Sequence, residues 1–233
     1  MIIFAHRGAS GHAPENTLLS IQTALDMGAC WVEVDVFAVE GELVVIHDRR
    51  LERRTNGIGD VTRQRLSYLR SLDAGQGERI PLLAEVMELL AGRAGLNIEL
   101  KGADTPGPVT ELVVKYFKKK KFSVDQILIS SFNHETLLEV KSLVPPIAVG
   151  AIIGGLPLHG AKFAEELNAY SIHMNSIYIS HGFVVDAHRR GFKVFAYTVN
   201  HIDEFRRMAS LGVDGVFTNY PEIAAGGSDI EPK

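Results

Sequence analysis

The chain has 233 residues, 46% of them hydrophobic, and a formal net charge of −4. That is enough apolar material for one sizeable core, and α/β barrels reach this length undivided. The acidic balance excludes a broad nucleic-acid footprint, which needs clustered Lys and Arg, and no apolar run approaches the roughly 20 residues that span a bilayer.

Residues 2–5 read as a strand that ends on His6 and Arg7. The opening Met-Ile-Ile-Phe-Ala-His-Arg-Gly has neither the cationic n-region nor the full apolar h-region of a signal peptide, so a cytoplasmic location is expected. Gly8 and Gly11 let the backbone pass close to a ligand, and Pro14-Glu15-Asn16-Thr17 opens a helix whose Leu18, Ile21 and Leu25 share one face before Gly28. Cys30, the only cysteine, cannot form an internal disulfide, and between Ala29 and Trp31 it reads as a small buried hydrophobe. Residues 31–37 alternate as a strand and aim Glu33 and Asp35 to one side.

Residues 43–46 also look like a strand, but too few residues separate them from the preceding one for a parallel crossover, so the two should pair as a hairpin. With a three-residue loop, Val39-Glu40-Gly41, Asp35 faces Val45 and Glu33 faces His47, which puts Glu33, Asp35 and His47 on one face. A two-residue loop would turn His47 away. Residues 48–79 are irregular, and long loops in compact domains are often functional. Residues 96–100 form a strand that sets Glu99 and Lys101 two apart, again on one side. Four lysines at 118–121 read as the solvated end of a helix. Further strands at 127–130, 148–152, 171–174, 194–199 and 215–218 alternate with helical patterns such as Ile202, Phe205 and Ala209. The tail 224–233, rich in Gly, Ser and acids, is expected to fray.

Eight strands alternating with helices, without a linker, predict a single α/β domain over 1–233. Its fold is a (β/α)8 TIM barrel with an extra hairpin strand after barrel strand two. A doubly wound Rossmann sheet fits less well, because no Gly-x-Gly-x-x-Gly follows the first strand. In a barrel the C-terminal strand ends form the site. They would gather His6, Arg7, Glu33, Asp35, His47, Glu99 and Lys101 on one rim. Three carboxylates without Cys suit a hard cation, Mg²⁺ first and Ca²⁺ as the alternative. Such an ion beside Arg and Lys matches an anionic phosphate, and two imidazoles suit proton transfer near neutral pH. Phe132, Met174 and Tyr197 sit at strand ends, where they line a glycerol or head-group pocket or pack in the core. Asp48 reads as orienting loop backbone, and His12, His134, His173 and His201 as structural or loop residues.

The segments HRGASGHAPENT, WVEVDV, VVIHDRRLERRTNG, IPLLAEV, NIELK, SSFN, YTVN and GVDGVFTNYP occur in the order found in the glycerophosphodiester phosphodiesterase family, and the chain resembles that family from residue 3 to about 222. The resemblance implies a TIM barrel that uses a divalent cation to hydrolyse small soluble glycerophosphodiesters to sn-glycerol 3-phosphate and an alcohol. It makes His6 and His47 the general acid/base pair. Arg7 would hold the phosphate with Lys101 beside it, and Glu33, Asp35 and Glu99 would bind the metal. The acidic balance predicts no nucleic-acid partner, the lack of a long apolar run or amphipathic membrane face predicts no stable membrane insertion, and a homodimer is the assembly to test. The competing readings are a lyase of the sphingomyelinase D or phosphatidylinositol phospholipase C type, which would release a cyclic phosphate, and an idle phosphodiester-binding barrel. Two positions depart from the family pattern. Asn219 stands in Thr-Asn-Tyr-Pro where Thr-Asp-x-Pro is usual, and Tyr197 stands where many members carry Trp. Neither is expected to touch the metal or acid/base set.

Overall fold

The computed structural model describes residues 1–223; the expected fraying of 224–233 lies outside the described residues. In chain order the elements are β1 (Ile2–His6), α1 (Leu18–Asp26), β2 (Trp31–Val39), β3 (Glu42–Val45), α2 (Leu66–Leu69), α3 (Leu83–Leu90), β4 (Gly95–Leu100), α4 (Pro106–Lys118), β5 (Ile127–Ser131), α5 (His134–Leu143), β6 (Ala148–Ile153), α6 (Phe163–Glu166), β7 (Ser171–Asn175), α7 (His181–Arg189), β8 (Lys193–Tyr197), α8 (Ile202–Ser210) and β9 (Gly215–Thr218). The sheet runs β1-β9-β8-β7-β6-β5-β4-β2-β3, and a further β1–β2 pairing closes it. The eight barrel strands are mutually parallel, while β3 lies outside the barrel, antiparallel to β2.

Helices form where the apolar positions recur on one face. In α1, Ile21 and Ala24 are fully buried, and Thr17 caps the helix by accepting from the Ser20 N–H at 3.1 Å. The barrel wall follows the logic of a sheet covered on both faces. Val32, Val34, Leu96, Ile98, Ile129, Val149 and Ile172 point outward into the main core beneath the helices. The inward positions fill the lower barrel with Phe4, Leu128, Phe195 and Phe217, and Phe4 stacks on Phe217 at 4.6 Å between ring centroids. Trp31 packs against Phe4, so the face of β2 that carries Glu33 and Asp35 is the inward one.

The hairpin differs from the expected register. Val39 pairs with Glu42 and Val36 with Val45, so the loop is the two residues Glu40-Gly41, both at positive φ (51° and 82°). Two consecutive left-handed residues make the tight turn whose twist matches its strands. His47 nevertheless reaches the barrel mouth, because the last bond to β2 is the Ile46 N–H on the Asp35 carbonyl at 3.0 Å and the chain bends at residue 47 before alternation can turn that side chain away. Beyond β3, the irregular segment carries short helical turns and a satellite core in which Phe37, Val39 and Val44 pack with Leu51, Val61, Leu69, Leu72 and Ile80. Cys30 is exposed, not buried as expected, since it precedes the first inward position of β2 in the α1–β2 turn.

Candidate active site

A cavity of about 480 Å³ opens at the C-terminal ends of the strands, lined on one side by His6, Arg7, Glu33, His47 and Glu99. His6 and Arg7 arrive from the end of β1, Glu33 from β2, Glu99 from β4 and His47 from the turn after β3, so the convergence follows from barrel closure. Asp35, buried, and Lys101, half-buried, adjoin this lining: Lys101 Nζ lies 2.7 Å from Glu99 Oε1 and 3.5 Å from Asp35 Oδ1. All seven rim residues expected from the sequence therefore meet.

One carboxylate oxygen from each of Glu33, Asp35 and Glu99 lies within 4.8 Å of the others. Arg7, at φ 58°, turns its backbone N–H onto Glu33 Oε2 at 2.9 Å. Its guanidinium reaches Glu15 Oε1 at 3.0 Å and stands 3.3 Å from Asp35 Oδ2. Asp35 also accepts from Asn16 Nδ2 at 2.9 Å. Burial works against its charge, but Arg7 and Lys101 outweigh it and hold Asp35 below the usual carboxylate range. Glu33 and Glu99 go the other way. Burial, compounded by the neighbouring carboxylates, raises Glu33 well above the usual range and Glu99 to about 7. Glu33 Oε1 and Asp35 Oδ1 are buried without a hydrogen-bond partner among the described residues. Oxygen ligands across one ion stand about 4 Å apart for Mg²⁺ and about 5 Å for Ca²⁺, so this cluster fits a hard dication. The orphaned oxygens are the donors such an ion would satisfy.

The two histidines are held from behind by different groups. His6 Nδ1 lies 2.8 Å from Asn219 Oδ1, and an amide oxygen only accepts, so the ring proton is on Nδ1 and Nε2 carries the lone pair. Burial, reinforced by the Arg7 charge, lowers His6 to about 4. His47 Nδ1 meets Asp48 Oδ1 at 2.7 Å, and Asp48 is in turn ion-paired with Arg53, which holds it at about 2. Burial, with Arg7 and Lys101 nearby, lowers His47 too. Asp48 thus orients His47 instead of loop backbone.

Asn219 overturns an expectation, since this departure from the family pattern bears directly on His6. The contact spans 213 positions, and only the adjacency of β1 and β9 brings the two together. The preceding loop fixes Asn219, whose N–H donates to Asn200 Oδ1 at 2.9 Å and whose carbonyl accepts from the Gly11 N–H at 2.9 Å. His173 is a second surprise, on the cavity floor with Nε2 2.9 Å from Ser171 Oγ, and lowered to about 3 by burial. Gly150 leaves the room this ring occupies, for a Cβ there would stand 2.3 Å from Nε2. Phe132 and Tyr197 line the opposite wall with ring centroids 6.1 Å apart, and Tyr197 donates its hydroxyl to the Ile153 carbonyl at 2.9 Å. Met174 is core. His12 pairs with Glu222, and His134 stacks on Phe163.

The family model described as the glycerophosphoryl diester phosphodiesterase family matches residues 6–223. A glycerophosphodiester phosphodiesterase of Caldanaerobacter subterraneus subsp. tengcongensis is 37% identical over 231 residues, covering 95% of each chain. Among solved structures, an Oleispira antarctica phosphodiesterase in complex with the product sn-glycerol-3-phosphate superposes with a TM-score of 0.90 at 34% identity, covering 99% of this chain and 97% of the other. A glycerophosphodiester phosphodiesterase of Agrobacterium tumefaciens superposes with a TM-score of 0.83 at 30% identity, covering 97% and 99%.

Proposed function

This chain belongs to the glycerophosphoryl diester phosphodiesterase family and is a glycerophosphodiester phosphodiesterase; from that premise we propose that it hydrolyses small soluble diesters such as glycerophosphocholine and glycerophosphoethanolamine to sn-glycerol 3-phosphate and the free alcohol, with His6 and His47 as its acid/base pair and a divalent cation as cofactor. The observation that carries this reading is the pair of imidazoles beside three mutually close carboxylates braced by Arg7 and Lys101.

Glu33, Asp35 and Glu99 would hold the cation, Mg²⁺ in the first place, which supplies a Lewis acid to a non-bridging phosphate oxygen. Arg7 and Lys101 draw the phosphate in and offset the charge that grows on it as the bond to phosphorus forms. His6, neutral and with Nε2 unprotonated, takes a proton from the attacking water, whose oxygen forms the new bond to phosphorus. His47, with the Asp48 carboxylate behind it to stabilise an imidazolium, delivers a proton to the departing alkoxide. Phe132 and Tyr197 form the wall against which the organic part of the substrate lies. No helix among the described residues is long and apolar enough to cross a membrane, which agrees with a soluble substrate met in the cytoplasm.

The test is incubation with glycerophosphocholine or glycerophosphoethanolamine and Mg²⁺, with glycerol 3-phosphate as the readout. Its absence with both substrates under Mg²⁺, Ca²⁺ and Mn²⁺ would sink the proposal. ³¹P NMR of the same reaction separates it from the lyase alternative, which accumulates a cyclic phosphate.

A further inference from the structure

Asp48 and Arg53 of the irregular segment 48–79 back His47, and further residues of that segment wall a second, open cavity of about 710 Å³ against the loop after β1. That is the size of a small-molecule site. Arg53, Arg54, Asn56, Asp73 and Gln76 line it on one side and Glu15 on the other. Its walls are tied together. The Asn56 N–H donates to the Asp73 carbonyl at 3.1 Å, and Asn56 Oδ1 accepts from the Asp73 N–H at 3.0 Å. Asp73 Oδ1 in turn accepts from the N–H groups of Gly75 and Gly77. Gly75, at φ 107°, lies so close to Pro14 that a Cβ there would stand 3.0 Å from the proline ring, which pins this turn to the loop after β1.

Two side-chain pairs form the ridge between the cavities. Arg7 lines the catalytic cavity and Glu15 the second one, 3.0 Å apart. His47 lines the catalytic cavity and Arg53 the second one, with Arg53 Nη2 3.4 Å from His47 Nδ1. A leaving oxygen that takes its proton from His47 stands at this ridge, so its alcohol extends across it while the retained glycerol keeps the first cavity. The second lining then decides which alcohol fits. Arg53 and Arg54 are balanced by Glu15 and Asp73, and Arg54 stands 2.8 Å from Glu15. No Phe, Tyr or Trp among the described residues lines it, so a quaternary ammonium finds no aromatic face there. Asn56 Nδ2, Asp73 Oδ2 and the Gln76 amide have no hydrogen-bond partner among the described residues. Free donors and acceptors in a charge-balanced lining match hydroxyl groups, each of which donates and accepts at one atom.

We propose that this second cavity is the subsite for the leaving alcohol and that it takes a neutral polyol, so that diesters of polyols are cleaved in preference to those of amino alcohols. The proposal rests on the phosphodiesterase reading above.

The experiment compares glycerol 3-phosphate release from glycerophosphoinositol, glycerophosphoglycerol and glycerophosphoethanolamine with Mg²⁺. A net hydrogen bond is worth roughly fivefold, so about two of them should raise kcat/KM for the inositol diester about 10- to 50-fold over the ethanolamine diester, with the glycerol diester between. Two variants test the wall. Gln76→Gly keeps the left-handed backbone, φ 56°, and removes the amide. Asn56→Asp keeps Oδ1 for the Asp73 N–H and loses the Nδ2 donor. Each should cut the polyol advantage about 3- to 5-fold while turnover of the ethanolamine diester holds, with circular dichroism reporting that the variants are folded. A preference that came from the stability of the leaving alkoxide alone would survive both. Equal or reversed kcat/KM in wild-type enzyme, a preference unchanged in both folded variants, or a loss shared equally by all three substrates overturns the inference and leaves the phosphodiesterase reading standing. Glycerol 3-phosphate from none of the three overturns that reading instead.

Discussion

His6 hands its Nδ1 proton to a neutral amide, whereas His47 hands its own to a carboxylate clamped by an arginine. A carboxylate stabilises the imidazolium in front of it and an amide hardly does, so the two rings are suited to opposite ends of the proton transfer. Asn219→Leu removes the one hydrogen-bond partner of His6 Nδ1 among the described residues. It should lower kcat for glycerophosphocholine about 10- to 100-fold, the usual cost of losing such a partner, with KM changed much less; steady-state kinetics separates the two. Glu99 carries the second prediction at this scale. With its carboxyl raised to about 7, mainly by burial, a cation must expel a proton from it at lower pH. The apparent affinity for Mg²⁺ should therefore fall by up to about tenfold per pH unit below about 7, as read from the activation midpoint at pH 5.5 and 7.5. Glu99→Gln should weaken that dependence without removing it, because Glu33 is raised by burial as well. The seven rim residues were legible because strand ends and two-residue alternation advertise them locally. Asn219 was noticed only as a departure, since nothing near residue 6 in the sequence points to residue 219.

The hairpin of β2 and β3 shows how far periodicity carries. Both candidate loops keep Gly41 in a left-handed position, so composition alone does not choose between two residues and three. A one-residue slip exchanges the faces of the following strand, and of the two loops the sequence leaves open the structure takes the two-residue one. His47 still entered the site because β3 has only four residues and ends before reaching it. Strand β6 offers a sharper test of how an element shapes the cavity. Gly150→Ala would place a methyl group against the His173 ring in a packed interior. The ring would be driven up toward the substrate, with a loss of about 1–3 kcal/mol of stability, typical of overpacking, and a higher KM. Thermal melts and substrate titration measure the two effects. The helices were easier to foresee: Ile21 in α1 and Phe205 in α8 are buried where the 3.6-residue period puts them.

Across the whole barrel, apolar rings fill the lower interior while a charged layer caps it, and that layer sets how stability depends on pH. Glu99 has a folded value near 7 against 4.5 unperturbed, so between these the folded state binds the extra proton. Its contribution to metal-free stability is therefore greatest below about pH 4.5 and is lost as pH rises through about 7. As pH rises through about 7 the site gains negative charge on Glu99, and a bound dication should restore what is lost. A cation at a hundred times its dissociation constant adds about 2.7 kcal/mol. At roughly 2–4 °C per kcal/mol for a domain of this size, Tm should rise about 5–10 °C with Mg²⁺ or Ca²⁺ and fall back with chelator. Calorimetry showing no shift with either ion would contradict the proposed metal site. The barrel was legible as a whole because alternating strands and helices with short connections leave few other architectures open.

The loop after β9 lies over the loop after β1, with Asn219 on His6, Tyr220 against Gly11 and Glu222 on His12. The first catalytic side chain to leave the ribosome is thus among the last to be set in place, because its partner is synthesised more than two hundred codons later. A nascent or proteolytically shortened chain that lacks β9 carries the motif without the amide that orients its imidazole, so hydrolytic competence should wait until β9 has been made.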